Sequence, residues 1–208
     1  MQSTPTAMAA LAALAGFLIS ASAQGEDKDR AKRLALLPPY CKHTQLYRRW
    51  APGGDNPAQI ARWQAAMGGN QNFSHLHHYC WALEQTNQAL YFERSKIERD
   101  RALRGSLSNF DYVIRNVQPD FALLPEIFTR KGQNLIRLGR APEGVVELIR
   151  AIDLNPGYWP PYAAMSDYYR DAGESAAARE WLEKGLKAVP QAGALKRRLA
   201  ELNAKGAR

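Results

Sequence analysis

The sequence predicts an all-α protein built from stacked helical hairpins. Three observations lead there. Pro156 and Pro190 stand 34 residues apart and close two similar segments, Ala151-Ile152-Asp153-Leu154-Asn155 and Gly185-Leu186-Lys187-Ala188-Val189. That interval holds one helix–turn–helix unit and repeats as a unit would. From Phe73 onward, apolar residues recur at three- and four-residue steps, the period of a helix with one buried face. Pro119, Pro125 and Pro142 fall at the ends of those stretches, where a helix tolerates them.

The chain has 208 residues, 46% hydrophobic and 23% charged, which suits one or two globular domains and excludes disorder throughout. Lys and Arg number 28 against 20 Asp and Glu, a net charge of +8. Such an excess suits an acidic partner, an anionic envelope surface or nucleic acid, or it is a solvated helical surface. Bases alternate with acids from Glu93 to Arg101 and are most one-sided from Lys196 to Arg208. Neither segment interleaves aromatics with bases as a single-strand binder does, so no nucleic-acid partner is expected.

Residues 1–23 read as an export signal. An apolar run from Met8 to Ser22 ends in Ala21-Ser22-Ala23 before Gln24, an A-x-A cleavage pattern. The run has 15 residues, fewer than the roughly 20 that span a bilayer. The segment Met1 to Thr6 lacks the usual Lys or Arg, and retention as an anchor is the alternative. No Cys follows the cleavage point, which argues against a lipid anchor there. Cleavage would leave no membrane span and a periplasmic or secreted protein. Cys41 and Cys80 then read as one disulfide in an oxidising compartment, with two reduced core cysteines as the alternative. A loop of about 40 residues closed this way is worth roughly 4 kcal/mol by chain entropy.

The elements follow in order. Residues 24–72 form an N-terminal extension with short helices. Its charged lead-in gives way to Leu34-Ala35-Leu36-Leu37, and any helix there stops at Pro38-Pro39. Tyr40 to Trp50 has no clear period, and Ala51-Pro52-Gly53-Gly54-Asp55 is a turn cluster. Asn56-Pro57 offers an N-cap with Pro at the first helical position. Ile60, Trp63 and Met67 share one face of a helix that ends at Gly68-Gly69.

Hairpins are expected over 73–119, 125–156 and 159–190. The first pairs a helix carrying Leu76, Tyr79, Cys80, Leu83, Asn87 and Leu90 with a second over Lys96–Val117, and charged residues from Glu93 to Arg101 form a projecting tip. The second hairpin turns at Gly139-Arg140-Ala141-Pro142, the third at Gly173. Within residues 191–208, the amphipathic stretch Leu195–Leu202 is placed to cap the stack, ahead of a basic tail.

Tyr162, Met165, Ser166, Tyr169, Ala178, Leu182, Gly185 and Pro190 in the last hairpin resemble the tetratricopeptide repeat. So do Phe128, Lys131, Gly132, Leu135, Gly144, Leu148, Ala151 and Pro156 in the one before. The family pattern wants Leu where Lys131 stands, and the aliphatic stem of the lysine is expected to fill that place. The hairpin over 73–119 is longer than one repeat. The resemblance implies a helical solenoid whose first helices line a concave groove. Carried onto this chain, the groove residues are Glu126, Thr129, Gln133, Ile136 and Arg137, then Ala163, Asp167, Arg170 and Asp171. His77, Trp81 and Glu84 join them from the first long helix. Trp, Arg and acids together suit an extended peptide or a partner helix, here from a protein of the cell envelope.

One cluster points elsewhere. His75, His77, His78 and Cys80 lie within six residues, and Cys41 and His43 complete the His and Cys content of the chain. Imidazole and thiolate suit zinc, copper or haem, with His43, His75 and His78 as the candidate ligands. On a helix His75 and His78 share one face, whereas His77 shares another with Cys80 or Trp81, so one ion cannot collect them all. No C-x-x-C, H-E-x-x-H, G-x-S-x-G or P-loop motif occurs, and neither catalysis nor a cofactor is expected.

Overall fold

The computed structural model describes residues 31–206. The expected export segment, 1–23, lies outside them. Among the described residues 75% are helical and no strand occurs, and the helices pack in neighbouring pairs.

A helical stretch over 31–35 ends ahead of Pro38-Pro39. The aperiodic segment that follows is two single 3₁₀ turns, Cys41–His43 and Tyr47–Arg49. Aperiodic here does not mean exposed. Tyr40, Cys41, His43, Thr44 and Tyr47 are all buried. Gly54 closes the segment where no side chain fits, because a Cβ there would lie 2.5 Å from the Lys42 carbonyl.

Helix α1 spans Pro57–Ala66, with Asn56 Oδ1 accepting the Gln59 backbone N–H at 3.0 Å and proline in its first turn. It stops at Gly68 and Gly69, whose φ of 76° and 111° side chains avoid. Helix α2, Asn70–Asn87, continues through one wider turn at Gln88–Phe92. Its buried face carries Leu76, Tyr79, Cys80 and Leu83, as the periodicity requires. Helix α3, Lys96–Asn116, packs back along α2 and buries Leu103, Leu107, Phe110 and Val113.

Helices α4, Leu124–Arg137, and α5, Ala141–Leu154, form the next pair. Helices α6, Pro160–Asp171, and α7, Ser175–Ala188, form the third. Gly139 and Gly173 make the two turns with φ of 78° and 82°. Helix α8, Gly193–Gly206, extends past both ends of the predicted stretch and packs on α7, with Leu195 and Leu202 in a core shared with Tyr162 and Leu182. Each pair also touches the next. α3 meets α4, α5 meets α6, and α4 meets α6 directly.

Two contacts fix how closely the second pair approaches. A Cβ on Gly132 would lie 2.8 Å from the Gly144 carbonyl, and one on Gly144 would lie 2.7 Å from the Gly132 carbonyl. The helices therefore cross backbone to backbone at these two glycines, where no other residue fits. Lys131 next door has a largely covered side chain, 14% exposed, and more than its stem holds it in place. The ammonium sits between Asp111, at 2.8 Å, and Glu147, at 2.7 Å, while the Glu147 side chain is only 9% exposed. Burial acts against the ammonium, but hydrogen bonds to both carboxylates outweigh it and raise the lysine's pKa. The position trades a leucine's packing for a charge that satisfies a buried acid.

A disulfide joins Cys41 to Cys80, with Cα atoms 5.6 Å apart, and ties the extension to the middle of α2. Around it lies the largest core cluster, which draws Leu37, Tyr40 and Tyr47 from the extension and Leu76, Tyr79, Phe110, Val113, Ile127 and Phe128 from three helices.

Two outcomes test this packing. Gly132→Ala destabilises the protein by about 1–3 kcal/mol, because the methyl meets backbone rather than a movable side chain; an unchanged urea midpoint contradicts the close crossing. Cys41→Ser with Cys80→Ser lowers stability by roughly 2–4 kcal/mol through the freed loop, read in the same titration.

Candidate functional site

Two open clefts collect most of the expected groove residues. The first lies between α4 and α6 and has a volume of about 140 Å³. Gln133, Ile136 and Arg137 line one wall, and Ala164, Asp167, Tyr168 and Asp171 the other. Five of these seven are residues the repeat register selects. Ala164 and Tyr168 were not foreseen, although they stand at three- and four-residue steps from Asp167 and Asp171 and so share their helix face.

The charges in this cleft are unevenly matched. Asp167 pairs with Arg170 at 2.7 Å and with Arg198 of α8 at 3.2 Å. Asp171 pairs with Arg170 at 2.9 Å. Arg137 has no carboxylate partner among the described residues and donates to the Asn134 side-chain carbonyl at 2.9 Å. Burial, with the like charge of Arg130 behind it, lowers the guanidinium's pKa. Arg137 therefore presents an unneutralised cation beside acids that are already satisfied.

Five expected groove residues line neither cleft: Arg170, which pairs with Asp167 and Asp171, His77, which packs on His78 and Trp81, and Thr129, Ala163 and Glu126. Thr129 and Ala163 are buried, so they are not available to a partner. Thr129 Oγ1 donates to the Pro125 carbonyl of its own helix at 2.7 Å, and Ala163 packs in the core of the third pair. Glu126 belongs to a separate polar group with Arg130, 3.5 Å away. The carboxylate raises the pKa of Tyr79, Tyr40 and Tyr158 further after burial, Tyr158 reaching about 12. The Tyr79 hydroxyl is fully enclosed there and makes no hydrogen bond to a described residue.

The second cleft, about 320 Å³, holds Trp81 and Glu84 of α2. Its other wall comes from the extension, with Arg33, Leu46, Tyr47 and Trp50. Glu84 is engaged by its own chain. It accepts a 2.5 Å hydrogen bond from the Tyr47 hydroxyl, and Arg33 Nε lies 3.2 Å away. Burial and this carboxylate push the Tyr47 phenol well above its usual range. Trp81 remains a half-buried wall.

The histidines do not converge on one point. His43 is buried in the extension with Nδ1 2.9 Å from the Gly54 carbonyl oxygen. His78 stacks on Tyr112, ring centroids 3.7 Å apart, with Nδ1 2.6 Å from Asn109 Oδ1. His75 meets the same Tyr112 at a tilt, ring centroids 5.7 Å apart, and His77 contacts His78 and Trp81 edge-on or tilted. Among the described residues no group of three or more His, Cys, Asp or Glu is placed to hold a metal ion, and both sulfurs are in the disulfide. The candidate ligand set of His43, His75 and His78 is thus not assembled, because the disulfide buries His43 on the extension's own turn.

No protein-family model matches this chain, and no curated protein matches it.

His77 supplies a pH test. Burial, then the neighbouring His78, lowers its pKa below the ordinary 6.5. The unfolded chain therefore takes up the proton first as pH falls. Stability from this site is complete above about pH 6.5 and declines below it, toward the folded-state pKa. His77→Gln flattens the loss of melting temperature between neutral and mildly acid pH relative to the parent, and parallel curves for the two proteins contradict the assignment.

Proposed function

We propose that the protein is an exported, non-catalytic scaffold of the tetratricopeptide type, working in the periplasm or outside the cell. It binds an extended peptide or a helix of a cell-envelope protein across α4 and α6, without a cofactor. The observation that carries the reading is the cleft between those helices, to which two successive pairs each contribute polar and apolar side chains. A helical-repeat scaffold presents such a surface on its first helices. The direct packing of α4 on α6, the glycine crossing at 132 and 144, and the tight approach of Gly185 to Tyr162 all fit that architecture. The disulfide fits an oxidising compartment. No described helix is long and apolar enough to cross a membrane.

The partner's chemistry follows from the charges. Arg137 favours an acidic group on the ligand, Ile136 an apolar side chain, and Gln133 and Tyr168 hydrogen bonds to its backbone. Trp81 offers a second aromatic contact for a longer ligand.

A photo-crosslinking residue placed at Gln133, in protein exported from its own host, captures a discrete partner that is absent when the same residue replaces exposed Glu183. Arg137→Ala weakens that capture about tenfold or more, with the helical signal and disulfide unchanged. Equal crosslinking from both positions, or capture indifferent to Arg137→Ala and Trp81→Ala, refutes the groove.

A further inference from the structure

The first helical pair outruns its neighbours. Lys131 of α4 pairs with Asp111 of α3, and Asn134 of α4 with Ser106, so α4 advances toward the α2–α3 turn. It stops at Arg137, one turn past Asn134. α3 carries on from Ser106 back to Lys96, a further rise of roughly 15 Å at 1.5 Å per residue. The tip at the α2–α3 turn therefore extends past the end of α4, with Tyr91 still near enough to Arg137 to act on its charge.

That tip is apolar where a free helix end would be polar. Leu90, Tyr91 and Phe92 are consecutive, and 43%, 68% and 48% exposed. Ile97, across the turn, is 68% exposed. The wider helical turn at Gln88–Phe92 points only Ala89 into the core and leaves its three large neighbours outside. Phe92 also borders a cleft with Arg33, Gln88 and Glu93.

Around the apolar residues, positions 93–104 carry five cations and three acids. Each acid is already held within the tip: Glu93 by Gln88 at 2.7 Å, Asp100 by Lys96 at 2.6 Å, Glu98 by Arg101 at 2.8 Å. Arg94 and Arg104 are exposed and make no close ion pair among the described residues, although Arg104 lies near enough to help hold the Asp100 carboxyl below its usual range. A convex tip with aromatic residues at its end and cations behind it matches a bilayer surface, which takes side chains at the headgroup boundary and attracts cations to anionic lipid. A protein partner would need a pocket for so narrow a projection, whereas a lipid surface needs none.

We propose that the α2–α3 tip is a shallow membrane-docking element that inserts Tyr91, Phe92 and Ile97 among anionic lipid headgroups. Tyr91 neighbours Arg137 at the edge of the α4–α6 cleft, but Phe92, Arg94, Ile97 and Arg104 line none of it, and the inference stands whether or not that cleft binds a peptide.

The test is co-sedimentation of the protein, purified from an exporting host, with vesicles of phosphatidylcholine alone or mixed with phosphatidylglycerol. Binding is expected only to the mixed vesicles, weakening as salt rises. Tyr91→Ser with Phe92→Ser reduces it about tenfold. Arg94→Glu with Arg104→Glu does the same while leaving the apolar residues in place. All four positions are exposed, and unchanged melting of both variants separates lost docking from lost fold. Absence of binding, equal binding to both vesicles, or binding that survives both variants overturns the proposal. So does concentration-dependent self-association abolished by the serine pair, which assigns the patch to a second copy of the chain.

Discussion

The covalent tie between Cys41 and Cys80 is the constraint on which the N-terminal half depends. The extension it holds is poor in regular structure, a five-residue helical stretch, two isolated 3₁₀ turns and one ten-residue helix. Elements that short have little stability of their own, since each turn fixes many dihedrals for few hydrogen bonds. The extension nevertheless supplies Leu37, Tyr40 and Tyr47 to the main core. Tyr40 also meets Trp63 of α1 edge-on, at 5.7 Å, which brings that helix into the same cluster. The tie sets what α2 shows to the outside as well. Because the extension is fixed there, Tyr47 reaches Glu84, and Trp81 becomes one wall of a cleft instead of an open helix face.

A second constraint is polar. Asn134 is fully buried and donates to Thr86 Oγ1 at 2.6 Å and to Ser106 Oγ at 2.8 Å. Three helices, α2, α3 and α4, thus meet at one amide. Its donors are satisfied only when all three keep their present register, and a slip along any of them would strand buried polar groups. The apolar contacts around it tolerate such slips more easily. Asn134 also gives its carbonyl oxygen to Arg137, so the residue that fixes the first two pairs together orients the cation in the cleft. Packing and the candidate site are joined through a single side chain.

The helices were legible because their signals are local. Asn56-Pro57 starts α1 and Gly68-Gly69 ends it, and the same holds for the turns at Gly139 and Gly173. The disulfide followed from two cysteines and the expectation of an oxidising compartment. What stayed hidden depends on residues distant in sequence. Asn134 sits on the buried side of α4, yet nothing near it identifies Thr86 and Ser106 as its partners, 48 and 28 residues away. Lys131 looked like an ill-fitting leucine until Asp111 and Glu147 appeared beside it. Of the expected groove residues, Gln133, Ile136, Arg137, Asp167 and Asp171 line one cleft. Thr129 and Ala163 do not, because a helix-wheel face is wider than the surface left open after the neighbouring helix has packed.

Charge matching explains why a protein of net charge +8 keeps its acids so well used. Along the helices, bases meet acids one turn away: Lys96 with Asp100, Arg140 with Glu143, Lys184 with Glu180. Such exposed pairs are worth only a few tenths of a kcal/mol each, so they do not hold the fold together. Their consequence is distributional. Acids are the scarcer sign, and once they are taken up within helices the cations left over stand out. Arg137 in the cleft and Arg94 and Arg104 at the tip are such residues. Where the nearby acids are already held and a cation is not, as around Arg137, the surface favours an anionic group without a deep pocket.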